Sequence, residues 1–341
     1  MLLTDTDKNG KEDSPFYSTA HWFSELKNHV FADKQRVDLF YKNFLLPHIV
    51  CKEKFTLFKL KQLKSLTNYY SPEFIPVGTV NSDDTNTIFH FYTATELKEY
   101  DCVDIAPLSE QNTDQLVTHL SNLGFFCEKY QVTTNWTHPA ITTLEEFWHI
   151  RPNKMKNILK SKRIKLERNN DFSIEILDSR DEERYAKMIA DYHDVYKKSW
   201  KNDEPYNDFI NNITKEELKK GKLRLGVVYH NNVPVASQIW FIHLNTAYIF
   251  KLSYDNNYRT ESVGSILMEA MFNHVIDKDK VTTIDFLTGD DPYKADWMSE
   301  SRPLFGVKAY NKGRLKGLFA TFALKLHKLM KTKFKSAQTT N

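Results

Sequence analysis

The segment with the clearest chemical potential runs from Lys251-Leu252-Ser253-Tyr254 through Arg259-Thr260-Glu261-Ser262-Val263-Gly264 into a helical run that starts at Ser265. A strand ends, a loop of small and polar residues follows, and a helix begins. The first N–H groups of a helix have no intrahelical acceptor, and the helix dipole adds partial positive charge there. A phosphate is bound well at such a place. Ser262 and Gly264 are small enough to let a ligand approach the backbone, and Arg259 adds a cation. An ordinary strand-to-helix connection accounts for the same residues, so they do not decide alone. Other chemistries lack their residue patterns. The 12 histidines form no H-E-x-x-H or similar ligand cluster, so no metal site is expected. There is no G-x-S-x-G nucleophile elbow and no G-x-x-x-x-G-K-S/T phosphate loop. Cys51, Cys102 and Cys127 are odd in number and form no C-x-x-C pair, against a disulfide framework or a cysteine metal site.

A sheet and its flanking helices must hold that segment. Residues 223–229 and 233–242 read as strands around the hairpin turn His230-Asn231-Asn232, and 246–252 as a third strand after a turn at Asn245. A helix is expected over 265–276 and a further strand over 281–287. Upstream, Tyr185, Met188, Ile189, Tyr192, Val195 and Tyr196 form the face of a helix over 182–200, and Gly221 ends another over 206–220. Residues 174–177 read as a strand. Thr143-Leu144-Glu145-Glu146 spells a capping box and opens a helix running on through the basic segment 154–165. In the N-terminal half, Trp22, Leu26 and Val30 suit an amphipathic helix. Val37, Phe40, Tyr41 and Phe44 follow helical spacing too, with Pro47 closing the segment. Strands are expected over 55–63, 87–92, 102–105 and 125–133, a polar turn over 81–86, and a helix over 112–123 with Gly124 as its C-cap. Both halves interleave short strands with helices, an α/β order.

The succession of three strands, R-x-x-S-x-G, helix and strand resembles the GNAT acetyltransferase family. That family's pyrophosphate loop reads Q/R-x-x-G-x-G/A; this chain matches at Arg259 and Gly264 and has Ser262 where the first glycine usually stands. The run Asp285-Phe286-Leu287-Thr288-Gly289-Asp290-Asp291-Pro292-Tyr293-Lys294, with Trp297 beyond it, resembles the DF-x-x-G-x-x-x-Y-K-x-x-W signature of the FemAB-like and CelD-like branch. Residues 153–167, with Met155, Asn157, Ile158, Lys160 and Arg163, are similar to the basic helix that opens the second lobe in that branch, and Trp200 also fits. The resemblance covers residues 145–320 well and 15–140 only in pattern.

The resemblance implies an α/β fold of tandem GNAT-like lobes, each a mixed, mostly antiparallel sheet flanked by helices. The division it suggests is a flexible tail over 1–14, an N-terminal lobe over 15–140, an acyltransferase lobe over 141–320, and a basic helix and tail over 321–341. It implies N-acyl transfer from acyl-CoA to an amine of a sugar, amino acid or cell-envelope precursor, without a metal. Leu252, Ser253, Arg259, Ser262, Val263, Gly264 and Ser265 would bind the CoA thioester and its pyrophosphate. Tyr293, Asp290 and Asp285 would serve catalysis, and Lys294 and Tyr254 would bind the acceptor. Ordinary readings compete: a solvated turn for Asp290 and Asp291, packing for Tyr293, a surface position for Lys294. Two other functions share the fold, namely a FemAB-like transferase using aminoacyl-tRNA and a non-catalytic scaffold in polysaccharide biosynthesis.

Composition bounds these readings. Across 341 residues, 41% hydrophobic content is enough for a real core. No apolar run reaches the roughly 18–20 residues that span a bilayer. The polar start is no signal peptide, so a reducing cytoplasm is expected. The net charge of +3 hides an asymmetry: ten basic residues and no acidic one follow Glu300. The basic segments 154–168 and 308–335 could meet tRNA or an anionic membrane surface, which would place the protein at the membrane's inner face. The apolar positions Leu318, Phe319, Phe322, Leu326, Leu329 and Met330 fit either that role or a final helix packed on the lobe.

Overall fold

A computed structural model describes residues 14–78, 88–168 and 171–338. The expected tail, apart from Ser14, and the expected turn over 81–86 lie outside the described residues. The chain divides into two units. One comprises Tyr17–Thr133 with Pro303–Asn341, the other Ser14–Phe16 with Thr134–Arg302.

In the first unit, the Thr19 hydroxyl accepts the Trp22 N–H and caps helix α1 (Ala20–Glu25), which continues as a π-helical turn over Leu26–Val30. Strands β1 (Gln35–Tyr41), β2 (Phe44–Phe55) and β3 (Phe58–Ser65) then form an antiparallel meander. The helix expected across Val37, Phe40, Tyr41 and Phe44 is therefore not formed. Tyr41 pairs with Phe44 across a two-residue turn, and Leu39 lies opposite Leu46. Cross-strand pairing overrides a spacing that fits a helix equally well. Pro47 sits inside β2 opposite Asp38 instead of closing a helix. The strand expected over 87–92 is, where described, a 3-10 turn at Ile88–Phe91, because only its ends, Ile88 and Phe91, turn into the core. Helix α2 (Ala94–Leu97), strand β4 (Cys102–Leu108) and helix α3 (Glu110–Asn122) follow, the last capped by Ser109 and ended by Gly124 at φ 89°. Strand β5 (Phe125–His138) begins in this unit and contributes its last residues to the second.

The second unit opens with α4 (Leu144–His149), capped by Thr143, and α5 (Asn153–Arg168). The one helix expected here is two, because Pro152 disfavours helical geometry in the residue before it. Strand β6 (Phe172–Leu177), helices α6 (Glu182–Lys198) and α7 (Asn207–Lys220), and strands β7 (Leu223–His230), β8 (Val233–His243) and β9 (Thr246–Tyr254) come next. Helix α8 (Val263–Asp277), strand β10 (Thr283–Thr288) and the short α9 (Lys294–Trp297) complete the unit. The chain then returns through β11 (Glu300–Asn311) to α10 (Leu315–Gln338) of the first unit.

The strand order is β1-β2-β3-β4-β11-β5 in the first unit and β5-β10-β9-β8-β7-β6 in the second. Each sheet is mostly antiparallel with one parallel pair, β3 with β4 and β9 with β10. This is the expected pair of mixed, helix-flanked lobes. In the second unit α8 lies against β7 at Gly226, where a Cβ would fall 2.7 Å from Met271 Sδ. Phe147 and Trp297 each stack on Phe272, with centroids 5.0 and 5.1 Å away and both pairs 22° from parallel, and Trp240 meets Phe272 edge-on at 5.2 Å. Losing one such buried ring costs about 3–5 kcal/mol, so this stack fixes Trp297 and with it one wall of the site.

Candidate functional site

Strands β9 and β10 pair only over Thr246–Thr283, Ala247–Ile284 and Tyr248–Asp285. Beyond that both are bent. In β9, Ile239 lies opposite Lys251 but Trp240 opposite Ile249, so Phe250 is an extra residue, a β-bulge. In β10, Leu287 takes φ 55°, and Gly289 just beyond it φ 107°. The diverging ends border a pocket of about 370 Å³. Leu252, Ser253 and Tyr254 of β9 and Gly264 and Ser265 of α8 line it, with Tyr293, Asp296 and Trp297 contributed by the α9 region. Met155, Ile158 and Leu159 of α5 add an apolar wall, and Trp200, Gln238 and Met268 complete it.

At the start of α8, Ser262 adopts a left-handed conformation (φ 59°, ψ 32°), and its carbonyl accepts the N–H groups of Ser265 and Ile266, each at 3.0 Å. The N–H groups of Val263 and Gly264 precede the helical ladder and face outward from the helix end. A Cβ at Gly264 would fall 2.9 Å from Cδ1 of Tyr254. Trp200 packs on that tyrosine with ring centroids 4.5 Å apart. Gln238 Nε2 donates to the Gly264 carbonyl at 2.9 Å, while its Oε1 accepts the Trp240 indole N–H at 3.0 Å. Helix α5 is held here by Lys162 Nζ on the Thr260 carbonyl and by Arg163 on Glu269, both at 2.6 Å. The Ser253 hydroxyl is buried in the pocket wall without a hydrogen-bond partner among the described residues.

The acidic and basic residues in and after β10 form a brace. Asp285 Oδ1 accepts from Asn135 Nδ2 at 2.7 Å and from the Leu287 N–H at 2.6 Å, and Arg302 Nε donates to Asn135 Oδ1 at 3.0 Å. This holds Leu287 in its left-handed turn. Asp290 accepts the Trp136 indole N–H at 3.0 Å. Lys294 is 3% exposed, with Nζ on the carbonyls of Thr288 (2.7 Å), Gly289 (3.1 Å) and Phe286 (3.5 Å). Burial lowers its pKa despite the acidic neighbours, Asp291 foremost. Tyr293 meets Phe286 edge-on at 5.9 Å, and burial raises the pKa of its phenol.

Of the residues picked out in the sequence, Leu252, Ser253, Tyr254, Gly264, Ser265 and Tyr293 meet around one pocket. Asp285, Asp290 and Lys294 stand behind it in the brace. Arg259 is exposed on the 3-10 turn Asn256–Glu261, Ser262 shapes the helix start, and the Val263 side chain is buried in the core.

Sequence reading missed Lys201. Its Nζ donates to the Leu252 carbonyl at 2.5 Å, and burial, reinforced by nearby Lys251, lowers its pKa to about 8. Lys251 is itself paired with Glu204 at 2.6 Å. Nothing in the spacing of residues so far apart signals the contact. Asp296, an exposed carboxylate on the pocket wall, was missed too; only its place within the α9 turn could have pointed to it.

Residues 153–295, which include every lining residue except Asp296 and Trp297, match the family model described as Acetyltransferase (GNAT) domain. A search of curated proteins finds no match. Among solved structures, FemX is similar with a TM-score of 0.56 at 11% identity, over 91% of this chain and 96% of that one. The C-terminal domain of a putative lysylphosphatidylglycerol synthetase from Agrobacterium fabrum gives 0.54 at 10% identity, over 89% and 94%. L-PGS from Bacillus licheniformis gives 0.52 at 12%, over 94% and 99%. At such identities the likeness is one of fold. The chain therefore has a tandem GNAT-like fold, and its 153–295 segment matches the acetyltransferase type in sequence.

Proposed function

We propose that the second unit transfers an acyl group from a CoA thioester to an amine, and that the chain is of the FemAB-like and CelD-like kind. The observation carrying this is the pocket between the diverging ends of β9 and β10, with the open N-terminus of α8 at one side. The N–H groups of Val263 and Gly264 suit a pyrophosphate. Met155, Leu159, Met268 and Trp297 suit the apolar parts of a thioester arm and its acyl group. The unpartnered Ser253 hydroxyl offers a hydrogen bond within the same wall.

In this reading the acceptor nitrogen attacks the thioester carbonyl. The C–N bond forms, the C–S bond breaks, the nitrogen loses a proton and the sulfur gains one. Backbone N–H groups at the end of β9 stabilise the oxyanion. The Tyr293 phenol lines the pocket and is protonated at neutral pH, and in this reading it acts as proton donor to the leaving thiolate. Asp296 receives the amine proton directly or through water. Asp285, Asp290 and Lys294 position Tyr293. The acceptor class, an amine of a sugar, amino acid or cell-envelope precursor, rests on the branch resemblance.

One observation favours aminoacyl-tRNA as donor instead: Lys160, Lys165 and Arg168 border a shallow depression along the outer face of α5. A thermal-shift screen of acyl-CoA thioesters against the full chain, with tRNA in parallel, separates the two. Stabilisation by acyl-CoA that is insensitive to added tRNA supports the first reading. Salt-dependent tRNA binding with no acyl-CoA effect replaces it with the second.

A further inference from the structure

Over residues 315–330, whose side chains are described, helix α10 packs on its own unit along one face. Gly317, Ala320 and Thr321 are buried there, and a Cβ on Gly317 would fall 2.2 Å from the Asn311 carbonyl oxygen. On the opposite face Leu318, Phe319, Phe322, Leu326, Leu329 and Met330 are all exposed, Phe319 at 64% and Phe322 at 67%. At about 100° per residue these six fall in one stripe roughly 120° wide. Lys316 and Lys325 flank its two edges. A contiguous apolar surface of this kind marks a docking site.

Charge selects the occupant. Within α10 there are six lysines, Lys316, Lys325, Lys328, Lys331, Lys333 and Lys335, and no acidic residue. A second copy laid on the stripe would bring two cationic segments together. Nucleic acid would satisfy the charge and leave the phenylalanines and leucines in water. An anionic bilayer surface satisfies both, with lysines at the headgroups and apolar side chains at the acyl boundary. We propose that α10 docks the protein onto an anionic lipid surface, lying in the plane of the interface. Among the described residues no helix is long and apolar enough to cross a membrane, which fits a helix that lies flat. The docking does not depend on the acyl-transfer reading.

The test is co-sedimentation of the full chain with vesicles of phosphatidylcholine alone or with roughly one third phosphatidylglycerol. The comparison variant is Phe319→Gln/Phe322→Gln/Leu326→Gln, whose three sites are exposed, so its melting temperature should match wild type. The wild-type chain is expected to sediment with the anionic vesicles, about tenfold less with neutral ones, and less at high salt. The variant is expected to lose the anionic binding about tenfold. Wild-type protein that stays in solution with anionic vesicles overturns the proposal, as does equal binding by the variant. Self-association that needs the three residues, or tRNA binding, in the absence of vesicle binding overturns it as well.

Discussion

Gln238 Nε2 lies 2.9 Å from the Gly264 carbonyl oxygen, and this bond ties the middle strand β8 to the first turn of α8. The same side chain accepts the buried Trp240 indole N–H, so it serves the sheet and the pocket together. Gln238→Ala leaves a buried donor without its acceptor and frees the helix start. Its expected cost is about 1–3 kcal/mol in urea unfolding, along with weaker ligand binding. A variant as stable as wild type would show that the tie contributes nothing.

In the proposed reaction Tyr293 protonates the departing thiolate. The residue is 38% exposed, so Tyr293→Phe should fold normally. With a general acid removed, kcat should fall on the order of 10²–10⁴-fold while KM changes little. Because the phenol pKa is raised, activity should show no alkaline loss from this group up to its ordinary value of 10.0. Wild-type kcat in the variant would leave Tyr293 with packing alone.

Lys201 should be visible in the pH dependence of stability. Its pKa in the folded protein is about 8, against 10.5 for a free lysine. Between those values the unfolded chain holds a proton that the folded one has released, so this group makes stability rise with pH. Below about 8 both forms are protonated and the contribution is flat. Comparing denaturation of wild type and Lys201→Met from pH 7 to 10 therefore predicts a gap that shifts in favour of wild type above about pH 8. A gap constant over that range would mean that the amine is not buried as described.

His48 gives the acid counterpart in the first unit. It is fully buried, with Nδ1 2.8 Å from the Leu46 carbonyl and Nε2 3.0 Å from the Tyr92 hydroxyl. Nδ1–H donates to the carbonyl and Nε2 accepts from the phenol, which fits a neutral ring. Burial lowers its pKa from 6.5 to about 3. Between these values the unfolded chain binds the extra proton, so stability falls as pH drops from 6.5 toward 3, on the order of 1 kcal/mol per pH unit. His48→Gln should flatten that part of the acid limb in urea titrations. An unchanged limb would assign the acid sensitivity to other groups.

What could be read beforehand depended on how local the signal was. The hairpin at Asn231-Asn232 and the strand-loop-helix run into α8 are written in consecutive residues, and the structure forms both. Strand β1 was lost because Val37, Phe40, Tyr41 and Phe44 suit a helix until β2 supplies partners. Strand β11 was not expected, since Pro303 and Gly306 look like breakers. Its ladder with β4 runs from Phe305 onward, past the proline, and a Cβ on Gly306 would fall 2.4 Å from the Tyr130 ring. Lys201 and Leu252 meet only after β9 has been laid beside the end of α6. Lys294 carried the right residue type, but its three carbonyl contacts depend on the turn at Leu287 and Gly289, which no spacing foretells.

The most direct measurement is isothermal titration of acetyl-CoA and a longer acyl-CoA into the wild-type chain and into Gly264→Val. The added side chain would meet the Tyr254 ring at the helix start proposed to bind the pyrophosphate, since even a Cβ falls 2.9 Å from Cδ1. The local overpacking should cost about 1–3 kcal/mol of stability, leaving a folded protein by circular dichroism. Acyl-CoA transfer predicts saturable binding to wild type, weakened at least about tenfold, or roughly 1.4 kcal/mol, in the variant. No binding to wild type, or equal affinity in a folded Gly264→Val, would contradict it.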